Sequence, residues 1–213
     1  MFLFGFWNFL LSISKTQSNN LKKIGIKLNG NNMAIIFDTE TTGLLKASIV
    51  DLDKQPKIIE FAAIKIDDKT LEEIDRIEFL VNPSFELTKE IIKITGLTDE
   101  KLKDAKTFEY HYEQLVDFFL GEKFLLAHNI AFDMGMLKND LARIGRQTQF
   151  PYPPRQICTV VQTNKIKGYR LNLSALHQHL FGETFKEAHR AMNDVEALTR
   201  CVRELIKQQL IIL

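Results

Sequence analysis

Disulfide chemistry has almost nothing to work with in this sequence. Only two of its 213 residues are cysteine, Cys158 and Cys201, and they lack the spacing of a metal-binding pair. That excludes a disulfide-stapled secreted scaffold and a thiolate zinc site, and fits reduced thiols in a cytoplasmic protein. Long apolar runs are also missing. The most apolar stretch, Met1 to Ser14, is shorter than the about 20 residues that a spanning helix needs. Its lysines follow the apolar part and no small-residue cleavage site comes after, so it is not built as a secretory signal. Residues 1–32 therefore read as an extension of the domain, with Met33 as an alternative start and a weak interfacial anchor as the competing reading. Membrane association is not expected. A strong net charge is absent too, at +1 overall. Four of the 28 basic residues lie in residues 1–32, where there is no acid, leaving 24 against 27 acidic residues in 33–213, a net of −3. Such a body is no general polyanion binder, so any nucleic acid must be held at a local site. No repeat or low-complexity tract divides 33–213, which reads as one domain with a sizeable core.

What is present is a pattern of strands, then helices. Ala34–Phe37 is an apolar run that predicts a buried strand ending in the polar loop Asp38-Thr39-Glu40-Thr41-Thr42-Gly43. Ile58–Ile66 and Ile74–Val81 predict two further strands, and the turn-like Asp67-Asp68-Lys69 between them makes an antiparallel hairpin that Pro83 ends. Leu87–Ile94 and Asp99–Ala105 read as short helices. Phe108–Leu120 reads as a longer helix capped by Thr107, with Phe108, Phe118 and Phe119 in the core. Lys123–Ala127 predicts a fourth strand, Phe132–Ile144 an amphipathic helix, and Ile157–Val161 a fifth strand or a strand-to-helix transition after the Pro151–Pro154 loop. Helices at Leu173–Leu180 and Arg190–Leu210 finish the chain, with His177 and His179 expected at the surface. The order predicts an α/β fold: a mixed five-stranded sheet with helices on both faces.

Three segments carry chemistry. Asp38 and Glu40 stand two apart at a strand end, so both carboxylates face one side, with Cα atoms about 6.5 Å apart. Carboxylates placed so closely raise one another's pKa, and a divalent cation relieves the repulsion. Alone, such a pair is a common strand end. Asp133 follows the strand Lys123–Ala127 through His128 and Asn129 and opens a helix within an apolar run. His189 and Asp194 enter the last helix. In a regular helix residues five apart do not share a face, so His189 belongs on the loop before the helix and Asp194 on its first turns.

In this order the segments resemble the DEDD exonuclease superfamily, in its histidine-bearing branch, and especially the epsilon subunit of bacterial DNA polymerase III. The similarity spans about Met33 to Leu205. Ile36 to Leu44 matches the first motif, Ile58 to Ala63 the second strand, Ile94 to Thr98 a short loop motif, and Ala127 to Asp133 and Ala188 to Ala197 the remaining two. His-x-x-x-x-Asp marks the histidine branch; the tyrosine branch has Tyr-x-x-x-Asp, and Tyr169 is too distant to serve. The family fold is ribonuclease-H-like, in agreement with the order of elements. One position departs: Thr95 stands where the epsilon-like motif has a histidine that approaches the terminal nucleotide.

The resemblance implies that Asp38, Glu40, Asp133 and Asp194 hold two Mg²⁺ or Mn²⁺ ions, hard cations that prefer oxygen ligands, and that His189 is the general base. It further implies 3′→5′ hydrolysis that releases nucleoside 5′-monophosphates. Thr41, Leu44 and Glu90 stand where relatives grip the last nucleotide, with ordinary loop packing an equal reading of Leu44. Asn129 contacts phosphate or caps its helix. Lys165, Lys167 and Arg170 form a small basic cluster, read as a solvated loop or a phosphate guide. The expected substrate is single-stranded or 3′-terminal nucleic acid, DNA ahead of RNA. The alternatives are an RNA-trimming enzyme of the RNase T or oligoribonuclease type and a non-catalytic binding module. The chain shows no long C-terminal extension of the epsilon type, so a stand-alone exonuclease is expected ahead of a replicase subunit, with a polymerase or repair partner left open.

Overall fold

The computed structural model describes residues 33–46, 51–185 and 189–213. The expected extension at 1–32 and the first residue of the last motif, Ala188, lie outside the described residues. Five strands form one sheet: β1 (Met33–Thr41), β2 (Ile58–Asp67), β3 (Glu73–Leu80), β4 (Phe124–Ala127) and β5 (Arg155–Cys158), in the order β3-β2-β1-β4-β5. The first three form an antiparallel meander, and β4 and β5 run parallel to β1. Seven α-helices are described: α1 (Lys89–Thr95), α2 (Asp99–Leu102), α3 (Tyr112–Phe119), α4 (Ile130–Arg143), α5 (Thr159–Lys167), α6 (Leu173–Phe181) and α7 (Ala191–Lys207).

Strand alternation sorts the core into two layers. Ile35 and Phe37 of β1 pack with Leu115 and Phe119 of α3 and Met134, Leu137 and Leu141 of α4. Ala34 and Ile36 face the other way, onto Leu176 of α6 and Val195, Leu198, Val202 and Leu205 of α7. The four α7 residues recur every three or four positions, the period that puts one stripe of a helix against a sheet. Helices thus cover both faces, as the pattern predicts. Phe108, Phe118 and Phe119 are all buried in the core, as expected.

The structure corrects four local expectations. β1 does not stop at Phe37. It runs through the polar motif to Thr41, because β2 stays paired beside it as far as Ile58 opposite Thr41, with a register shift at Glu40/Thr41. The helix expected from Phe108 to Leu120 opens instead as a 3₁₀ turn over Phe108–His111, and Thr107 makes no side-chain capping bond. His111 there lies flat on Phe79, ring centroids 3.9 Å apart, a tertiary contact that local periodicity does not encode. β5 begins earlier and ends at Cys158, the partner of Ala127, the last residue of β4. Beyond that pair there is no ladder to extend, so Thr159–Val161 turns into α5, which makes Ile157–Val161 the strand-to-helix transition rather than a strand throughout. Finally, His177 is not a surface residue. It is 3% exposed, with Nδ1 2.9 Å from the Glu183 carbonyl and its ring against Phe181 and Phe185.

Among the described residues no helix is long and apolar enough to cross a membrane. Both cysteines are free, and burial pushes the Cys201 thiol up to about 12, which leaves it unreactive.

Candidate active site

The carboxyl ends of β1 and β4 lie side by side, since Ile36 pairs with Leu126 in the parallel ladder. Past that point β1 carries Asp38, Thr39 and Glu40, and β4 passes through His128 and Asn129 into α4. Alternation continues the pattern set by the core. Asp38 and Glu40 extend the series of Ala34 and Ile36 toward α7. Thr39 extends the series of Phe37 toward α4, where its backbone N–H (3.2 Å) and hydroxyl (2.8 Å) both donate to Oδ1 of Asp133. One strand therefore presents two acids on one side and grips a third with the residue between them.

The fourth acid arrives on α7. Asp194 sits on its first turn, and Oδ2 accepts the backbone N–H of His189 at 3.1 Å. His189 precedes the helix, exposed, with φ of 72°. A left-handed backbone is uncommon outside glycine and persists where the surroundings enforce it. Ligand atoms of Glu40, His189 and Asp194 lie within 4.8 Å of one another.

Electrostatics tie Asp38 and Asp133 to this group. Burial, then the charges of Asp133, Asp194, Glu40 and Glu60, hold the Asp38 carboxyl well above the usual range. Glu40 is pushed up to about 8 by burial and by Asp194, Glu60 and Asp133, against the opposing pull of Arg190. Burial raises Asp133 to about 7 despite its bonds from Thr39, and it raises Asp194 as well. Four carboxyls share a space that disfavours their charged forms. Hard divalent cations bound by oxygen remove that penalty, so the donor set fits Mg²⁺ or Mn²⁺.

This crowding makes stability pH-dependent, with a definite sign. The unfolded chain releases these protons near pH 4, and the native state holds two of them until about pH 7 and 8. Between those limits the native state binds more protons, so stability falls as pH rises. The metal-free protein is expected to melt at a lower temperature at pH 8 than at pH 5.5. Mn²⁺ should raise the melting temperature far more at pH 8, where fewer protons compete for the ligands. Calorimetry over this range checks it; equal Mn²⁺ effects at both pH values would contradict a carboxylate cation site.

Beside the acids lies a cleft of about 680 Å³, lined by Thr39 to Lys46, Thr88, Glu90, Ile91, Ile94, Thr95 and Phe132. Three of the four expected nucleotide contacts, Thr41, Leu44 and Glu90, line it. Leu44 is 77% exposed and Ile94 47% exposed at its rim. Leu45, next to the exposed Leu44, packs into α4 at Gly135, where a Cβ would come within 2.5 Å of its Cδ1. The Thr41 hydroxyl is turned to the Gly43 carbonyl at 2.8 Å. Thr95, in the position of the family histidine, is buried, and its hydroxyl donates to the Ile91 carbonyl and accepts from Leu97 N–H. It offers the cleft no free polar group of that kind. Asn129 lies outside this lining. Its side chain makes no capping bond, and its left-handed φ of 75° is a conformation that asparagine tolerates. That removes the capping reading of Asn129. The adjacent His128 is a structural clamp: Nδ1 is 2.9 Å from the Thr159 hydroxyl, Nε2 is 3.1 Å from the Leu171 carbonyl, and burial lowers it to about 4. Lys165, Lys167 and Arg170 are exposed.

Three contributors, Thr39, Glu60 and Arg190, are absent from the sequence expectation. Thr39 is the strand residue that holds Asp133. Glu60 is fully buried and receives Arg190 and the first N–H of α7. The signal for Glu60 was an acid within the otherwise apolar run Ile58–Ala63. The signal for Arg190 was only its place beside His189.

The family model described as "Exonuclease" matches residues 35–202. The chain belongs to the exonuclease family. Its motifs resemble those of the histidine-bearing branch of 3′→5′ exonucleases. It is 34% identical over 183 residues to a PolC-type DNA polymerase III of Oceanobacillus iheyensis, covering 83% of this chain and 12% of that protein. It is 31% identical over 174 residues to the PolC-type polymerase of Bacillus cereus, covering 81% and 11%. This exonuclease chain thus spans about a tenth of those relatives' length. Among solved structures, the nuclease domain of the 3′ exonuclease 3′hExo, described as a DEDDh family member bound to rAMP, superposes with a TM-score of 0.66 at 19% identity. That match covers 84% of this chain and 94% of the other. Cell-death related nuclease 4 gives a TM-score of 0.67 at 21% identity, covering 84% and 64%. These two confirm the ribonuclease-H-like fold of the exonuclease.

Proposed function

We propose that the chain removes nucleotides one at a time from the 3′ end of single-stranded or frayed DNA and releases nucleoside 5′-monophosphates. The observation that carries this reading is the grouping of Asp38, Glu40, Asp133 and Asp194 with His189, beside a cleft that Glu40, Thr41, Leu44 and Glu90 line. Asp38, Glu40, Asp133 and Asp194 would hold two divalent ions, Mg²⁺ or Mn²⁺. Bound there, such ions supply charge stabilisation for the attacking and leaving oxygens. The protein's own residues do the rest. His189, exposed and beside Glu40 and Asp194, accepts the proton of the attacking water. Thr41, Leu44 and Glu90 line the cleft that seats the terminal nucleotide, and Asn129, exposed beside Asp133 at the start of α4, contacts phosphate.

DNA is favoured over RNA because the curated relatives at 31–34% identity are named as DNA polymerases. The same likeness supports a polymerase or repair partner and a cytoplasmic setting. RNA trimming has its own support, since one similar fold is described as recognising a histone mRNA stem-loop. The test is digestion of 5′-labelled single- and double-stranded DNA and RNA oligomers with Mg²⁺, Mn²⁺ or EDTA. The expected result is a ladder that shortens from the 3′ end, fastest on single-stranded DNA and absent in chelator. A ladder that persists in EDTA would defeat the metal assignment. Faster trimming of RNA would reverse the substrate preference.

A further inference from the structure

Glu60 has no exposure at all and stands opposite Glu40 in the β1–β2 ladder. A carboxylate in that place must be fully partnered. Its partners all come from one short stretch of chain. Arg190 Nε lies 3.1 Å from each carboxylate oxygen and Nη2 lies 2.7 Å from Oε1, while the Ala191 N–H donates to Oε2 at 3.0 Å. These four contacts use the acceptor capacity of the group, so Glu60 is not a fifth cation ligand.

The same bonds solve a problem at the start of α7. Helices need an acceptor for their first N–H groups. The N-cap residue of α7 is Arg190, which has no acceptor on its side chain and makes no capping bond. Glu60 supplies the missing cap from a neighbouring strand. One residue earlier, His189 is bent into the left-handed region, and its N–H is tied to Asp194. The bend is therefore fixed on both sides: by Glu60 at Arg190 and Ala191, and by Asp194 at His189.

We infer that Glu60 is a positioning residue for the proton-transfer step: through Arg190 and Ala191 it sets the backbone bend that presents the His189 ring to Glu40 and Asp194. This rests on the reading of His189 as general base and names what holds it. A guanidinium fork can bind both oxygens of a carboxylate in a fixed plane, which an ammonium cannot do.

The experiment uses the full chain with Mn²⁺ and a 5′-labelled single-stranded DNA oligomer. Glu60→Gln keeps the shape and one oxygen for Ala191 but loses the charge-paired fork. Arg190→Lys keeps the charge and loses the fork, and serves if the first variant fails to fold. Expected for either is a fall in kcat of about 10–100-fold with KM changed less than about threefold, the scale of misplacing a group that acts in proton transfer. In the His189→Ala background the same substitution should cost nothing further, because the two residues act as one unit. Imidazole ¹H–¹⁵N spectra supply a readout free of catalysis: the His189 resonances should move in the variants while those of His128 stay. Unmoved His189 resonances, or an equal kcat loss with and without His189, would overturn the inference. If His189→Ala keeps full turnover but the His189 resonances still move, the base assignment fails and the positioning role of Glu60 stands.

Discussion

Asp38→Asn is expected to abolish nucleotide release while leaving a folded and, at pH 8 without metal, more heat-resistant protein. The carboxylate of Asp38 is the most strongly hemmed in of the set, raised by burial and by Asp133, Asp194, Glu40 and Glu60 together. Removing one charge from that group relieves its neighbours, so the metal-free fold gains where most core substitutions lose. Activity moves the other way. Loss of a metal-supplied stabilisation of several kcal/mol, at ~1.4 kcal/mol per tenfold, gives a fall in turnover of roughly 10³-fold or more. The rise in melting temperature on adding Mn²⁺ should shrink in parallel. Scanning calorimetry with and without Mn²⁺, beside single-turnover digestion, reads both. A variant that stays active, or that still gains the full Mn²⁺ stabilisation, would remove Asp38 from the cation cage.

His189→Ala separates proton transfer from cation binding. General-base contributions run to about 10²–10⁴-fold, and a loss in that range is expected with Mn²⁺ stabilisation intact. The separation matters because the imidazole lies within ligand distance of Glu40 and Asp194. If the ring is a ligand instead, the variant will need much more Mn²⁺ for half-maximal activity, and excess metal will restore its rate. Turnover at the original level would exclude both roles. Alanine also has a cost at a φ of 72°, so His189→Asn, which tolerates the left-handed region, is the matched control.

Much of this was legible before any coordinates. Two-residue alternation in β1 placed Asp38 and Glu40 on one face, and the mismatch between a five-residue spacing and the helical repeat put His189 ahead of α7. Both depend only on local geometry, which sequence encodes directly. What escaped depends on partners distant in the chain. β1 extends through Thr41 because β2 lies beside it, and no local pattern says so. Thr39 looked like a spacer between two acids until α4 brought Asp133 to its hydroxyl. His177 looked solvent-facing on its helix until Phe181 and Phe185 closed over it. Glu60 showed the least, since its meaning comes from Arg190, 130 residues later.

The four acids and the histidine are anchored at different depths of the molecule. Asp38 and Glu40 belong to the central strand, paired on both sides over its first half and covered by helices on both faces. Amides in such a strand exchange with solvent only when the whole domain opens. The strand half of the cation seat, Asp38 and Glu40, therefore resists local fraying. His189 stands outside every regular element and is tied by a handful of polar bonds that open far more readily. Any natural throttle on this exonuclease, whether a bound partner or a change of solvent, has its cheapest point of leverage there, at the acceptor of the proton, with the seat for the ions left standing.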